Sequence, residues 1–178
     1  MVNKLGIQDY EKLQVIERKL IMLRILDLID KPIKGNFDFK HLCSIHFYIF
    51  QDIYDWAGEV RKVDIAKGNM FCKMTFIEPQ AEEIFGRLRK EKFLEGLNQQ
   101  EIARRLAYYF SEINALHPFR EGNGRSQREF IRSLALKNGY VLSFSNISAE
   151  EMLKASQESF LCNYKAMENI FEQCIRKQ

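Results

Sequence analysis

Apolar residues recur at helical spacing through most of the chain, and only one stretch departs from that rhythm. Leu13, Ile16, Leu20 and Leu23 follow a three-to-four-residue period, with Ile21, Ile25 and Leu28 widening the apolar face. Asp9 stands where an N-cap belongs, and Pro32 with Gly35 ends the segment. A second helix is predicted from about Asp38, striped by Leu42, Ile45, Ile49 and Ile53, with His41 and His46 on its flanks. Pro79 opens a third helix whose apolar positions are Ile84, Leu88 and Phe93; Gly96 breaks it and Asn98 caps the next. That fourth helix runs from Gln99 to about Leu116 with Ile102, Leu106, Phe110 and Ile113 on one face. After a loop from His117 to Asn123, a fifth helix is predicted from Gly124, closed by Asn138-Gly139. Ser148 with Glu151 makes a capping box for a helix to about Phe160, and a last helix turns Met167, Ile170, Phe171 and Ile175 inward.

The departure lies between Glu59 and Met74. Val60, Val63 and Ile65 precede the turn-prone Lys67-Gly68-Asn69, and Phe71 and Phe76 follow it. Two short strands around that turn predict a β-hairpin. The expected architecture is mostly α, a helical bundle with one small hairpin in a single domain over 1–178. N-terminal helices occupy about 9–56, the hairpin about 60–76, core helices and their loop about 98–138, and C-terminal helices about 148–176.

Composition narrows the classes. With 46% hydrophobic residues over 178 positions, the chain can fill a core, which excludes general disorder. Glycine (9) and proline (3) are too scarce for a turn-rich sandwich or barrel. The net charge of +3 does not demand nucleic acid as a partner. Arg87, Arg89, Lys90 and Lys92 alternate with Glu83, Glu91 and Glu95, the pattern of a solvated helix face, so no nucleic-acid partner is expected. The most apolar run, Leu20 to Ile29, is interrupted by Arg24 and Asp27, so no membrane partner is expected either. Cys43, Cys72, Cys162 and Cys174 form no C-x-x-C pair, and His41 and His46 are spaced wrongly for a shared helical metal site. Free thiols in a reducing, cytoplasmic compartment are the expectation.

The chemistry concentrates in His117-Pro118-Phe119-Arg120-Glu121-Gly122-Asn123-Gly124-Arg125-Ser126-Gln127-Arg128. Gly122 and Gly124 permit positive φ, so backbone N–H groups can converge at a helix start, where the macrodipole favours an anion. Arg125 and Arg128 stand in the first turn, where the dipole disfavours cations; that makes them poor structural choices and good polyphosphate ligands. Pairing with Glu129 or Glu121 on the surface is the plainer alternative. Glu121 beside an anion cradle is placed to hold Mg²⁺, which takes few protein ligands plus phosphate oxygens. His117 is then a general base near the phosphates, although a histidine before a proline can also simply end a helix. Together these groups point to a nucleotide-dependent transferase.

The stretch resembles the signature of Fic-domain proteins, H-x-F-x-[D/E]-G-N-G-R-x-x-R, with every defining position filled. The segment Tyr54-Asp55-Trp56-Ala57-Gly58-Glu59-Val60-Arg61 is similar to the family's W-A-G-E segment, and Ile65 to Cys72 resembles its hairpin, or flap. The resemblance implies a Fic-type helical bundle with the flap beside the active-site loop. It also implies transfer of AMP from ATP to a Ser, Thr or Tyr hydroxyl of a target protein, with release of pyrophosphate. In that reading His117 deprotonates the hydroxyl and Glu121 holds Mg²⁺. Gly122, Asn123 and Gly124 form the anion hole, with the Asn123 side chain orienting the α-phosphate. Arg125 reaches the β-phosphate and Arg128 the γ-phosphate, while Phe119 anchors the loop in the core. Lys67, Gly68 and Phe71 of the flap line the nucleotide pocket, and an extended target segment pairs with the flap edge. Relatives that move a phosphoryl group carry lysine at the position of Gly124, so glycine here favours nucleotidyl transfer. The alternatives are a phosphotransferase-type relative and a catalytically silent nucleotide-binding module.

Many relatives restrain themselves with an inhibitory helix of pattern [S/T]-x-x-x-E-[G/N], whose glutamate pairs with the second motif arginine. No Ser or Thr in this chain has Glu four positions later. The chain thus resembles the toxin-type subclass, for which a small separate antitoxin supplies the inhibitory helix.

Overall fold

The computed structural model describes residues 2–178. α1 spans Tyr10–Asp30, its first turn closed by the Asp9 carboxylate accepting from the Lys12 N–H at 3.0 Å. Its buried face is Leu13, Ile21 and Leu28, with Leu20 and Ile25 packed at the edge. Leu23, expected inside, points outward, as do Met22, Leu26 and Ile29. α2 spans Phe39–Phe50 behind an Asp38 cap, and it buries both His41 and His46 rather than carrying them on its flanks.

The hairpin is shorter than predicted. β1 is Ala66–Lys67 and β2 is Asn69–Met70, antiparallel, with Ala66 opposite Met70 and Gly68 at the turn with φ 77°. Val60 and Val63 lie outside any strand, and Met74–Phe76 form one 3₁₀ turn leading into α3, Ile77–Lys90. Side chains at both strands are exposed, so no buried face extends the ladder. α3 stops before Phe93, which lies in a left-handed turn.

α4, Gln99–Leu116, starts from an Asn98–Glu101 capping box and packs against α3, against α5, Asn123–Lys137, and against the two C-terminal helices. α5 begins one residue earlier than predicted. Beyond Gly139, Tyr140–Leu142 form β3; α6 follows over Ala149–Phe160 behind the Ser148–Glu151 box. α7 covers Lys165–Cys174, and the predicted continuation to 176 does not occur. Ile175–Lys177 instead make β4, paired antiparallel with β3 so that Tyr140 faces Lys177. The ladder satisfies backbone groups of two chain segments at once and buries β-branched Ile175 completely. One hydrophobic cluster draws from α1 through β4 and leaves the α4–α5 junction at its rim. Among the described residues no helix is long and apolar enough to cross a membrane, and all four cysteines are free thiols.

Candidate functional site

α4 ends at His117, which takes the left-handed conformation (φ 45°, ψ 58°) as its C-cap. That conformation is strained for a residue with a Cβ, and the surroundings hold it there. Arg61, side chain buried, donates through Nε to the His117 carbonyl at 2.8 Å, through Nη1 to Val63 O, and through Nη2 to Cys72 O. Its backbone N–H donates to Pro118 O, and that of Cys72 to Ala115 O. One buried cation thereby ties both arms of the flap to the start of the loop.

The loop then turns at Gly122, left-handed at φ 81°, the N-cap of α5. A methyl group added there would collide with the Phe50 ring, so glycine is required twice, by conformation and by space. Asn123 is buried with both amide atoms committed: Oδ1 accepts from the Phe119 N–H at 2.8 Å and Nδ2 donates to Phe119 O at 2.7 Å. Its side chain thus clamps the loop backbone, and of the two Nδ2 donors one remains beyond the bond to Phe119. Phe119 is buried and stacks on His46, ring centroids 3.9 Å apart.

His46 is the residue the sequence reading missed. It is wholly buried between Phe50 and Phe119. Its Nδ1 accepts from the Gly58 N–H at 2.8 Å, which leaves Nε2 to donate to the Glu121 carbonyl at 3.0 Å. Burial holds its pKa down to about 4, with Arg125 adding to the effect, so the neutral tautomer that makes both bonds persists. The Trp-Ala-Gly-Glu segment, noticed without a role, is the signal that pointed here: Gly58 is the partner.

The charged groups divide. The Glu121 carboxylate accepts from the Gly122 N–H at 3.0 Å and from Arg125 at 3.3 Å. Arg125 also donates to Glu17 of α1 at 2.8 Å and lies over the Phe50 ring. The plainer pairing of Arg125 with Glu121 is therefore present. Arg128 behaves differently: the residue is exposed overall, but its guanidinium curls back to Gly124, where burial and then Arg125 lower its pKa, and it forms no ion pair among the described residues. Arg125 and Arg128 do not share one environment, although both border a cavity of about 250 Å³ with Ile25, Ile29, Leu142 and Phe144.

The His117 imidazole lies under the flap. Phe71 stacks on it nearly parallel, centroids 3.7 Å apart and 12° between planes, and Phe160 packs against Phe71 at a tilt, centroids 5.5 Å apart. His117 Nδ1 is buried with no hydrogen-bond partner among the described residues. Burial lowers the pKa of this ring to about 4, with Lys67 and Arg61 contributing and the Asn114 carbonyl and Glu121 opposing. Phe71 is thus brought against the candidate base, while Lys67 and Gly68 sit exposed at the tip, with open space around Gly68.

A family model described as the Fic/DOC family matches residues 36–135. The chain is 44% identical over 168 residues to the protein adenylyltransferase VbhT of Bartonella schoenbuchensis, covering 94% of this chain and 35% of that one. It is 38% identical over 176 residues to a probable protein adenylyltransferase Fic of Salmonella typhimurium, covering 98% and 87% respectively. Among solved structures, BepC of Bartonella tribocorum with bound AMPPNP superposes with a TM-score of 0.94 at 27% identity, covering 100% of this chain and 93% of that one. An N-terminal Fic domain of Bartonella quintana with bound ADP gives 0.94 at 30% identity, covering 100% and 91%. The chain belongs to the Fic/DOC family.

Proposed function

We propose that this Fic/DOC chain transfers AMP from ATP to a hydroxyl side chain of a target protein. The observation that carries the reading is the loop between α4 and α5. It sets the His117 imidazole and the amides of a helix start at opposite ends of one turn, with Arg128 reaching back over that start. The hydroxyl oxygen attacks the α-phosphorus while His117 takes its proton; the bond to the bridging oxygen breaks and pyrophosphate leaves. The amides of Gly122, Asn123 and Gly124 hold the phosphates, the first of them on release from the Glu121 carboxylate. Arg125 and Arg128 neutralise the outer phosphates.

The donor set suits a magnesium ion that arrives with the triphosphate. No cluster of three metal-ligating side chains exists among the described residues, and Glu121 offers one half-exposed carboxylate at the lip. A single carboxylate with phosphate oxygens is what Mg²⁺ accepts, and when bound it would neutralise charge on the reacting phosphates. Phe71 must lift from His117 for the acceptor hydroxyl to reach it, and an extended target segment can then pair with the edge of β1 or β2.

Restraint falls to a separate small protein in this reading. Arg128 pairs with no glutamate among the described residues, and α1 leaves Met22, Leu23, Leu26 and Ile29 exposed, Ile29 lining the same cavity as Arg128. An inhibitory helix from an antitoxin fits there, its glutamate on Arg128. The isolated chain should then be active; a chain already restrained, and released by a Glu→Gly change within itself, would overturn this part.

The test of the main reading incubates the chain with ATP labelled at the α-phosphate and a cell lysate, beside His117→Ala. Label on a protein band should fall by about 10²–10⁴-fold in the variant. Label only from the γ-phosphate would mean phosphoryl transfer, and nucleotide binding without label would mean a silent module.

A further inference from the structure

The family match begins at residue 36, so it assigns nothing to α1. Glu17, in the first half of that helix, nevertheless reaches the site. Its side chain is only 14% exposed, and Oε1 accepts from Arg125 Nη1 at 2.8 Å. Its other oxygen, Oε2, accepts from the Tyr54 hydroxyl at 2.8 Å, and Tyr54 is itself buried. The carboxylate is thus pinned from one side and pins Arg125 on the other. Below the guanidinium lies the Phe50 ring, 4.8 Å from the Arg125 Cζ.

The physical problem at this spot is charge. The start of α5 carries the positive end of a helix dipole, and two arginines three residues apart stand on it. Repulsion would drive the half-buried Arg125 outward in the absence of a compensating anion. Glu121 is a poor candidate for that duty: its contact with Arg125 is longer, 3.3 Å, its side chain is 37% exposed, and it also caps the Gly122 amide. Glu17 has the shorter contact and the deeper position. It engages one of the five guanidinium N–H donors, which leaves others for an anion.

We propose that Glu17 is a positioning residue for nucleotide binding, holding the Arg125 guanidinium in place against Phe50 with its remaining donors available to the phosphates, and keeping it there when Glu121 lets go. This rests on the reading of the site as an ATP-dependent transferase. The opposite role, a competitor that withholds Arg125 from ATP, uses the same contact and predicts the opposite sign.

The experiment measures AMP transfer and AMPPNP binding for the wild-type chain, Glu17→Gln and Tyr54→Phe, with thermal melting of each. The glutamine keeps the size and one acceptor but removes the charge. Glu17→Gln should raise KM for ATP about tenfold, with kcat changed less than about threefold and AMPPNP affinity falling in parallel. Tyr54→Phe should shift KM the same way by about threefold, and it carries the test if Glu17→Gln fails to fold. In an Arg125→Ala background, Glu17→Gln should add nothing. An unchanged KM, a KM that falls, or equal losses in both backgrounds overturns the proposal while the wild-type transfer stands. If the wild-type chain neither binds AMPPNP nor transfers AMP, the transferase reading fails first and this inference falls with it.

Discussion

The loop from His117 to Asn123 and the flap from Val63 to Cys72 face each other across the imidazole, and they are built on opposite terms. In the loop nearly every polar group is committed: Asn123 to Phe119, the Glu121 carbonyl to His46, the His117 carbonyl to Arg61. Apolar rings fill the remaining space, and Gly122 touches Phe50 where no side chain fits. The flap has two-residue strands, exposed side chains, and a Gly68 tip with nothing near it. Phe71, the Arg61 bonds, the Cys72 N–H on Ala115 O and the Asp64 carboxylate on the Met74 N–H fasten it at its base. A rigid side suits a cofactor-like substrate of constant shape, and a loose side suits a protein target of variable shape. Elements at the low-stability end are those that can move aside for a ligand.

The contrast breaks first at its glycines. Gly122→Ala combines a strained φ with a collision against a buried ring, so the chain should lose about 3 kcal/mol or more of stability and most of its activity. A melting temperature within a few degrees of wild type would mean the loop is not rigid after all.

Phe71→Ala gives the intermediate effect and concerns pH. In the closed arrangement His117 titrates near 4, so acid inactivation through this base should begin only as the pH approaches that value. Removing the ring admits water, and the pKa should rise toward its usual value of about 6.5. A protonated imidazole cannot accept a proton, so the acidic limb of the variant's pH profile should move upward. Activity at about pH 5 relative to pH 8 should fall in the variant and hold in wild type. Coincident profiles would show that burial under Phe71 is not what sets the titration.

The smallest effect is expected at Gly68→Ala. The left-handed φ costs about 1 kcal/mol locally, yet no neighbour is touched, so melting should shift by only a few degrees and ATP affinity should not move. A loss of ATP binding here would place the flap tip on the nucleotide, as the family resemblance implies.

Much of the fold was legible because caps and periods are local. Asp9, Asp38, Asn98 and Ser148 each cap the helix their position announces, and Asn138-Gly139 ends α5. The last strand was not legible, since Ile175 continues a helical apolar period and only the presence of β3 makes extension the better choice. The site divides similarly. The order of His117, Glu121, the glycines and the arginines reads directly from one contiguous stretch. That Asn123 clamps a backbone depends on where Phe119 lies once the loop closes. That His46 and Arg61 hold the loop depends on α2 and the flap folding against it.

By itself the sequence determined the helices, their caps and a single segment dense in phosphate chemistry, because hydrogen-bonding within a few residues and apolar periodicity act along the chain. The tertiary structure alone decided which arginine is ion-paired and which is not, and which histidine braces the loop and which lies under the flap. It also decided that a glutamate from the first helix reaches the site. Those outcomes turn on burial and on charges brought together from residues a hundred positions apart, and spacing along a chain carries no record of either.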